Sequence, residues 1–223
     1  MLNQAQTRLV TEGARFLGLE LSAKQLANFS LYLDELARWS KVTNLVSQTD
    51  PATIISKHIL DSLAVSLLIL PDIRVLDLGS GAGFPGLVLA IVQPTRDVVL
   101  IEARRKRVSF LKATIRKTQS KNVRVCEGRA ETLAEDISLR NSFAVVISRA
   151  TWGLKEFLSL ARPFVADKGR VIAMKGPRGG QELDDVGTFS QTLGFSLANI
   201  HEYALPFGEG RRKALVFAKE CLT

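Results

Sequence analysis

One stretch constrains the fold more than any other: Val75-Leu76-Asp77-Leu78-Gly79-Ser80-Gly81-Ala82-Gly83-Phe84-Pro85-Gly86. An apolar strand runs into an acid and then into a glycine-rich turn that opens a helix. Such a turn cradles a nucleotide. Glycine takes positive φ and leaves no Cβ in a ligand's way, and a helix start aims free N–H groups outward. Read from Gly81, the run fits G-x-G-x-x-G, the dinucleotide fingerprint, which alone is a weak signal. In that frame a pyrophosphate would sit where Asp77 places a carboxylate, and the two would repel. Read from Asp77, the pattern D-x-G-x-G-x-G suits a ligand with no phosphate and a positive charge, such as the ammonium and sulfonium of S-adenosylmethionine. Asp77, Gly79, Gly81 and Gly83 are the first candidate cofactor contacts.

A second acid supports the same site. Asp97 to Glu102 reads as the next strand, with Glu102 at its carboxyl end, 25 residues after Asp77. A carboxylate there can accept both ribose hydroxyls of an adenosine. Capping of the helix that begins near Arg104 is the alternative role for Glu102.

At 223 residues and 46% hydrophobic, the chain can bury a full core as one large domain or as one domain with an extension. Its two cysteines, Cys126 and Cys221, build no disulfide framework and belong to no Cys/His cluster that would hold a metal, so both are expected buried, reduced and inert. The longest apolar runs, such as Leu63 to Leu70, are too short to span a bilayer, and the amino terminus is too polar for a signal peptide, which makes the cytoplasm the expected location. The net charge of +8 is unevenly placed. Residues 1–72 carry 6 Lys/Arg against 7 Asp/Glu, and residues 73–223 carry 24 against 15. Ten basic residues fall between Arg104 and Arg129, with Glu127 the one acid among them. A polyanion is the natural partner of such a surface, although the helix at 104–119 also buries Val108, Leu111 and Ile115 and can simply solvate its charged side.

Ser22 with Gln25 forms a capping box ahead of Leu26, Phe29, Leu33 and Leu36, which recur at helical spacing up to Trp39. Asp50-Pro51 supplies the cap and first-turn proline of a second helix through Ile54, Ile55, His58, Ile59 and Ser62 to Leu68. These make residues 1–72 a helical extension. From residue 73 onward, strands are expected at 73–78, 97–101, 122–126, 143–147, 169–174, about 196–204 and 213–219. Helices separate the first six, so residues 73–223 form a doubly wound α/β sheet of seven mostly parallel strands. The last two strands are joined by Pro206 to Gly210 with no helical pattern between them, which predicts an antiparallel hairpin. Gly176 to Gly180 reads as a mobile loop.

With these pieces in place the chain resembles a class I, Rossmann-like S-adenosylmethionine-dependent methyltransferase. It is similar in particular to the bacterial glucose-inhibited division protein B family (RsmG), methyltransferases of small-subunit ribosomal RNA. The resemblance rests on Trp39 with Asn44-Leu45, Lys57 to Ser62, Asp77 to Gly86, Lys106-Arg107 with Phe110-Leu111, Arg129-Ala130-Glu131, Val146 to Ala150, and Met174-Lys175-Gly176. The glycine motif is shared by many methyltransferases, whereas the runs from His58 to Ser62, Ile147 to Ala150 and Gly83 to Gly86 together are specific to this family. The resemblance implies transfer of a methyl group to N7 of one guanine in the 530 loop of 16S rRNA, within the small ribosomal subunit. It carries cofactor contacts onto Gly79, Phe84, Glu102, Ala130, Glu131 and Arg149.

Guanine N7 is an unprotonated lone pair and a sulfonium methyl is already activated, so in-line displacement needs no general base. The end of the fourth strand agrees. Ser148-Arg149 stands there, with neither the Asn/Asp-Pro-Pro-aromatic run of amine methylation nor a cysteine nucleophile. Arg149 can hold guanine O6 or a phosphate through its fixed fork of donors, or pair structurally with Glu131. His58 and Asp61, three apart on one helical face, can form a hydrogen-bonded pair at the cofactor edge, or a cap and packing contact. Arg129, Lys175, Arg178, Arg211, Arg212 and Lys213 are candidate RNA contacts, with solvated surface the alternative. Two other classes share these features: a small-molecule methyltransferase, which would need an apolar lid, and a non-catalytic RNA-binding assembly factor.

Overall fold

The computed structural model describes residues 2–149, 152–176, 182–183 and 186–220. Seven strands form one sheet: β1 (Arg74–Leu78), β2 (Asp97–Glu102), β3 (Val123–Glu127), β4 (Phe143–Arg149), β5 (Val165–Lys175), β6 (Phe195–Ala204) and β7 (Arg211–Lys219). Their order across the sheet is β3-β2-β1-β4-β5-β7-β6. The first five are mutually parallel, while β7 runs antiparallel to both β5 and β6. The expected hairpin is therefore present, closed by a 3₁₀ turn at Pro206–Gly208. The strand order reverses between β1 and β4, and in open parallel sheets the crevice at the carboxyl ends beside such a reversal is where ligands bind.

Nine α-helices accompany the sheet among the described residues: α1 (Gln4–Phe16), α2 (Ala23–Ser40), α3 (Pro51–Ile54), α4 (Leu60–Ser66), α5 (Gly86–Val92), α6 (Arg105–Thr118), α7 (Ala130–Leu133), α8 (Leu154–Ala161) and α9 (Gly187–Thr192). The capping box of α2 forms as the sequence predicts, with Gln25 N–H donating to Ser22 Oγ and Ser22 N–H donating to Gln25 Oε1. Asp50 caps α3 by accepting from Thr53 N–H at 2.9 Å, with Pro51 in the first turn. α1 is a further helix that the sequence reading did not foresee, and it carries the same signature in Asn3 and Gln6.

Two stretches differ from expectation. The helix expected to run unbroken from Pro51 is interrupted by a π-helical turn at Ile55–Ile59 and ends at Ser66. A π turn inserts one residue into the helical register and re-aims the side chains beyond it. β5 starts at Val165, four residues early, because Lys168 (φ 61°) lets the chain bulge; Phe143 pairs with Val165, but Val145 pairs with Arg170.

The extension packs into the same apolar core as the sheet. Val10, Phe29, Leu36 and Ile59 lie in one cluster with Val88, Leu100 and Phe110. A second core, around Leu76, Phe143, Phe157, Phe164 and Phe217, fills the opposite face. Buried apolar area is the dominant stabilising term in such a fold, so the shared cluster holds α1 to α4 against the sheet.

Candidate active site

The turn after β1 has the backbone its sequence predicts. Gly79, Gly81 and Gly83 have φ of 66°, 58° and 90°, values that side chains strain to reach. Gly86 is needed for a different reason: a Cβ there would lie 2.2 Å from Leu100 Cδ2 and 2.7 Å from Asp77 Oδ2. The close approach lets α5 rest on β1 and β2. Tyr32 of the extension pins the turn from below by donating to the Ala82 carbonyl.

Asp77 faces inward, beneath the turn. It is fully buried, and its Oδ2 accepts from Gly86 N–H at 3.0 Å. The first N–H of α5, expected to be free for a ligand, is thus consumed by the acid that precedes the turn. Asp77 Oδ1 is buried with no hydrogen-bond partner. Burial pushes this carboxyl up to about 7, against the opposing pull of the Gly86 and Ser80 hydrogen bonds and of Arg149. An orphaned acceptor of that kind fits a cationic ligand group.

Glu102 also serves the backbone. Its Oε2 accepts from Gly81 N–H at 2.9 Å and its Oε1 from Arg104 N–H at 2.8 Å, while Arg107 Nη1 stands 3.9 Å away. The capping alternative is therefore realised, and it ties the glycine turn to the start of α6. A carboxylate offers about four lone-pair sites, so the two backbone bonds leave acceptor capacity for a ribose.

A groove of about 150 Å³ runs over the turn, lined by Leu45, Val46, Gly79, Ser80, Gly81, Ala82, Phe84, Arg107 and Arg149. Of the sequence-predicted cofactor contacts it includes Gly79, Gly81, Phe84 and Arg149. Asp77, Gly83 and Glu102 lie outside its wall: Asp77 and Gly83 are packed underneath, where a Cβ on Gly83 would strike Leu87 at 2.5 Å. Ala130 and Glu131 stand at the start of α7, beyond β3. The groove adds Leu45, Val46 and Arg107, none of them expected as a cofactor contact, although Leu45 and Arg107 belong to the runs that carry the family resemblance.

A second cleft, of about 440 Å³, adjoins it. Lys57, His58, Asp61, Arg149, Met174, Lys175, Gly176 and Arg212 line it. Arg149 belongs to both clefts. Its Nη1 lies 2.8 Å from His58 Nδ1 and 3.7 Å from Asp61 Oδ2, and its guanidinium carbon stands 5.2 Å from the centre of the Phe84 ring. His58 and Asp61 thus meet through Arg149 and not as a direct pair, and no ion pair joins Arg149 to Glu131, the acid expected as its structural alternative. The missed member is Tyr203 on β6, whose hydroxyl donates to Asp61 Oδ1 at 2.7 Å. Nothing local in the sequence connects it to Asp61, 142 residues earlier.

Burial, then the neighbouring Arg149, Lys57 and Arg212, depress His58 to about 4, so the ring is neutral at physiological pH. Burial raises Asp61, opposed by Arg149 and by the Tyr203 hydrogen bond. Tyr203 is itself raised by burial and by the Asp61 charge, which keeps its proton in place as the donor.

The candidate RNA contacts divide. Lys175 is engaged inside the protein, donating to the Trp152 carbonyl at 3.1 Å and to both Glu182 oxygens at 3.0 Å. Lys213 is paired with Glu202 at 2.7 Å across the β6–β7 hairpin. Both lysines are thus engaged by acids in the unbound protein, and an ion pair would have to open before either met a phosphate. Arg129 and Arg211 are exposed, and Arg212 lines the larger cleft. Arg178, and with it most of the loop expected at 176–180, lies outside the described residues, as does Cys221. Cys126 is half-buried on β3 with its thiol raised by burial, which leaves it protonated.

The fold and the glycine-lined groove at its reversal point are those of the class I, Rossmann-like methyltransferases. Solved structures with this fold include a SAM-dependent methyltransferase from Aquifex aeolicus, with a TM-score of 0.58 and 19% identity over 82% of this chain and 97% of that one. TYW2 from M. jannaschii, solved in complex with AdoMet, gives a TM-score of 0.55 and 17% identity over 72% and 74%. Sequence similarity is narrower in meaning. The family described as rRNA small subunit methyltransferase G matches residues 25–209. The ribosomal RNA small subunit methyltransferase G of Syntrophus aciditrophicus is 37% identical over 95% of this chain and 89% of its own length, and that of Bacillus subtilis is 33% identical over 94% and 88%. The chain belongs to the rRNA small subunit methyltransferase G family.

Proposed function

We propose that the protein transfers a methyl group from S-adenosylmethionine to N7 of a guanine in the 530 loop of 16S ribosomal RNA, acting in the cytoplasm on the small subunit or its precursors. The observation that carries this reading is the position of Arg149, which forms the wall common to the glycine-turn groove and the larger basic cleft. The groove fits the cofactor through Gly79, Gly81 and Phe84, with the Glu102 carboxylate behind Gly81 and the buried Asp77 carboxyl beneath the turn supplying negative charge from behind its wall. When bound there, the cofactor supplies a methyl group already activated by its sulfonium.

The residues of this chain then have little chemistry to perform. No base is required, because N7 has no proton to lose, and His58 is unsuited to be one, with its Nδ1 engaged by Arg149 and its pKa near 4. Arg149 is held on three sides, by His58, by Asp61 and by the Phe84 ring, so its guanidinium enters the cleft pre-oriented. Such positioning is the main catalytic resource here, and proximity effects of this class are worth about 7–11 kcal/mol. Arg212 at the cleft rim, with exposed Arg104, Arg105, Lys106, Lys112 and Arg116 at and along α6, offers positive charge to a nucleic-acid backbone, whereas Lys57 is paired with Glu209 at 3.5 Å. Among the described residues no helix is long and apolar enough to cross a membrane.

The test is to incubate the protein with labelled S-adenosylmethionine and naked 16S rRNA, an assembly intermediate or complete small subunits, each from cells lacking the enzyme, and to map the modified base. Label at N7 of a guanine in the 530 loop is the expected result. Label on another base, or on a small molecule and not on RNA, refutes the reading.

A further inference from the structure

The hydrogen bond between Arg149 and His58 fixes more than the position of the arginine. A guanidinium has donors and no acceptor, so the nitrogen it meets, His58 Nδ1 at 2.8 Å, is the acceptor. The ring is then neutral and carries its one proton on Nε2. A second proton, on Nδ1, would set two donors face to face, in keeping with the depressed basicity of this ring. The ring is also held by a tilted contact with Phe84, with centroids 5.2 Å apart and planes inclined at 32°.

Nε2–H has no acceptor within the described protein, and it is absent from the buried polar atoms left without a partner, so it opens onto the cleft that His58 lines. Beside it the wall presents the side chains of Arg149, Lys57 and Arg212, which are donors only; the Lys57 carbonyl already accepts from Arg149 at 3.4 Å, and the Lys57 ammonium is paired with Glu209 at 3.5 Å. The carboxylate on the same wall, Asp61, is already committed: Oδ1 accepts from Tyr203 and Oδ2 faces Arg149. The wall next to the cofactor groove is therefore rich in donors and poor in free acceptors.

Purines differ at the atom beside N7. Guanine presents N7 and a carbonyl oxygen, both acceptors, whereas adenine presents N7 and an amino group that donates. Resting on the reading above, in which a purine N7 receives the methyl group, we infer that His58 Nε2–H donates to the 6-carbonyl oxygen of the target base, so that His58 and Arg149 together accept guanine and exclude adenine. Adenine would meet these donors with a donor of its own. A site built to hydrogen-bond one group rejects the analogue that lacks it because its own polar groups are then left unpaired.

The test uses small subunits reconstituted with 16S rRNA that carries guanosine, inosine or 2-aminopurine at the target position. Inosine keeps the 6-carbonyl and lacks the 2-amino group; 2-aminopurine does the reverse. The wild-type protein is expected to use inosine within a few-fold of guanosine and to lose about 10- to 100-fold in kcat/KM on 2-aminopurine, the range of one or two hydrogen bonds. His58→Phe keeps a ring against Phe84 and has no donor; it should lose a similar factor on guanosine and show a much smaller guanosine to 2-aminopurine ratio. His58→Gln, which returns an N–H near Nε2, should recover part of that ratio. Wild-type protein that uses 2-aminopurine as readily as guanosine overturns the inference, and that comparison stands even if neither variant folds. A His58→Phe protein with the full wild-type ratio overturns it as well. If methyl mapped on the guanosine substrate lies on an atom other than N7, the functional reading itself fails, and the inference falls with it.

Discussion

Asp77→Asn should stabilise the unliganded protein at alkaline pH while weakening its response to cofactor. The native carboxyl has a pKa of about 7, raised by burial, whereas in the unfolded chain it titrates near the ordinary value of 3.8. Between those values the folded state holds a proton that the unfolded state has released. The associated stability is fully present below the unfolded pKa and is lost as pH rises through about 7. Each pH unit in that window is worth about 1.4 kcal/mol, so from pH 5 to pH 7 the wild-type protein forfeits roughly 3 kcal/mol through this group. Asparagine keeps an oxygen to accept from Gly86 N–H and cannot ionise. The loss begins above pH 3.8, so the two proteins should differ already at pH 5, and the variant's melting temperature should gain about a further 6–12 °C on that of wild type between pH 5 and pH 7, at the usual 2–4 °C per kcal/mol for a chain of this size. Asp61, also raised, is present in both proteins and cancels from the difference. Saturating S-adenosylmethionine should raise the melting temperature of wild type at pH 8 by more than that of the variant, because only wild type offers the unpaired Oδ1 as a counter-charge. The assay is calorimetric melting from pH 5 to 8, with and without cofactor. Parallel melting profiles at all pH values would show that the Asp77 carboxyl ionises without cost, and the reasoning would be wrong.

Arg149→Ala should lower the rate of methyl transfer about 100-fold with RNA and cofactor both saturating, since misplacing the base by an ångström carries a cost of that order; a wild-type rate in single-turnover kinetics refutes the positioning role. Glu102→Ala strands the Gly81 and Arg104 N–H groups as well as removing a ribose acceptor, so stability should fall by about 2–4 kcal/mol alongside a loss of cofactor affinity. Calorimetry that finds weaker binding with unchanged melting would show that the carboxylate serves the ligand alone. Neutralising Arg211 and Arg212 should reduce the slope of log affinity for small-subunit RNA against log salt by roughly two, with no further change when Lys213 is added, because Glu202 already pairs with it. A further drop on mutating Lys213 would show that its ion pair opens on binding.

The fold was legible because local chemistry and global architecture agree at most positions. Capping residues stand at Ser22 and Asp50, β-branched runs mark the parallel strands, and the absence of a helical pattern between β6 and β7 dictates their hairpin. The π turn at Ile55–Ile59 was not legible, since its side chains carry an ordinary helical pattern and its closest neighbours are helices that the sequence does not place beside it, α1 among them. At the candidate site the fold gathers Gly79, Gly81, Phe84, His58, Asp61 and Arg149 around two adjoining clefts, but the direction each side chain faces was not readable from the sequence. Asp77 and Glu102 sit at the expected strand ends, but whether a carboxylate faces a ligand or a backbone N–H depends on the path of the turn above it. Lys175 and Lys213 look like free cations in a sequence and are neutralised by acids that only the folded chain brings near. Tyr203 was missed for the same reason.

Arg149 comes from the sheet-forming half of the chain, and two of the side chains that hold it, His58 and Asp61, come from the segment before it. The two halves are consequently not interchangeable parts. A chimera that joined residues 73–220 to the helices of a distant relative would keep the glycine turn, lose the Leu45 and Val46 wall beside it, and leave the arginine without the histidine that receives its hydrogen bond. Substitutions at 58, 61, 149 and 203 should show strong epistasis, each tolerated only in the company of its partners, as expected of groups in one hydrogen-bonded network. That network crosses the boundary near residue 72, so neither half carries a complete cleft by itself.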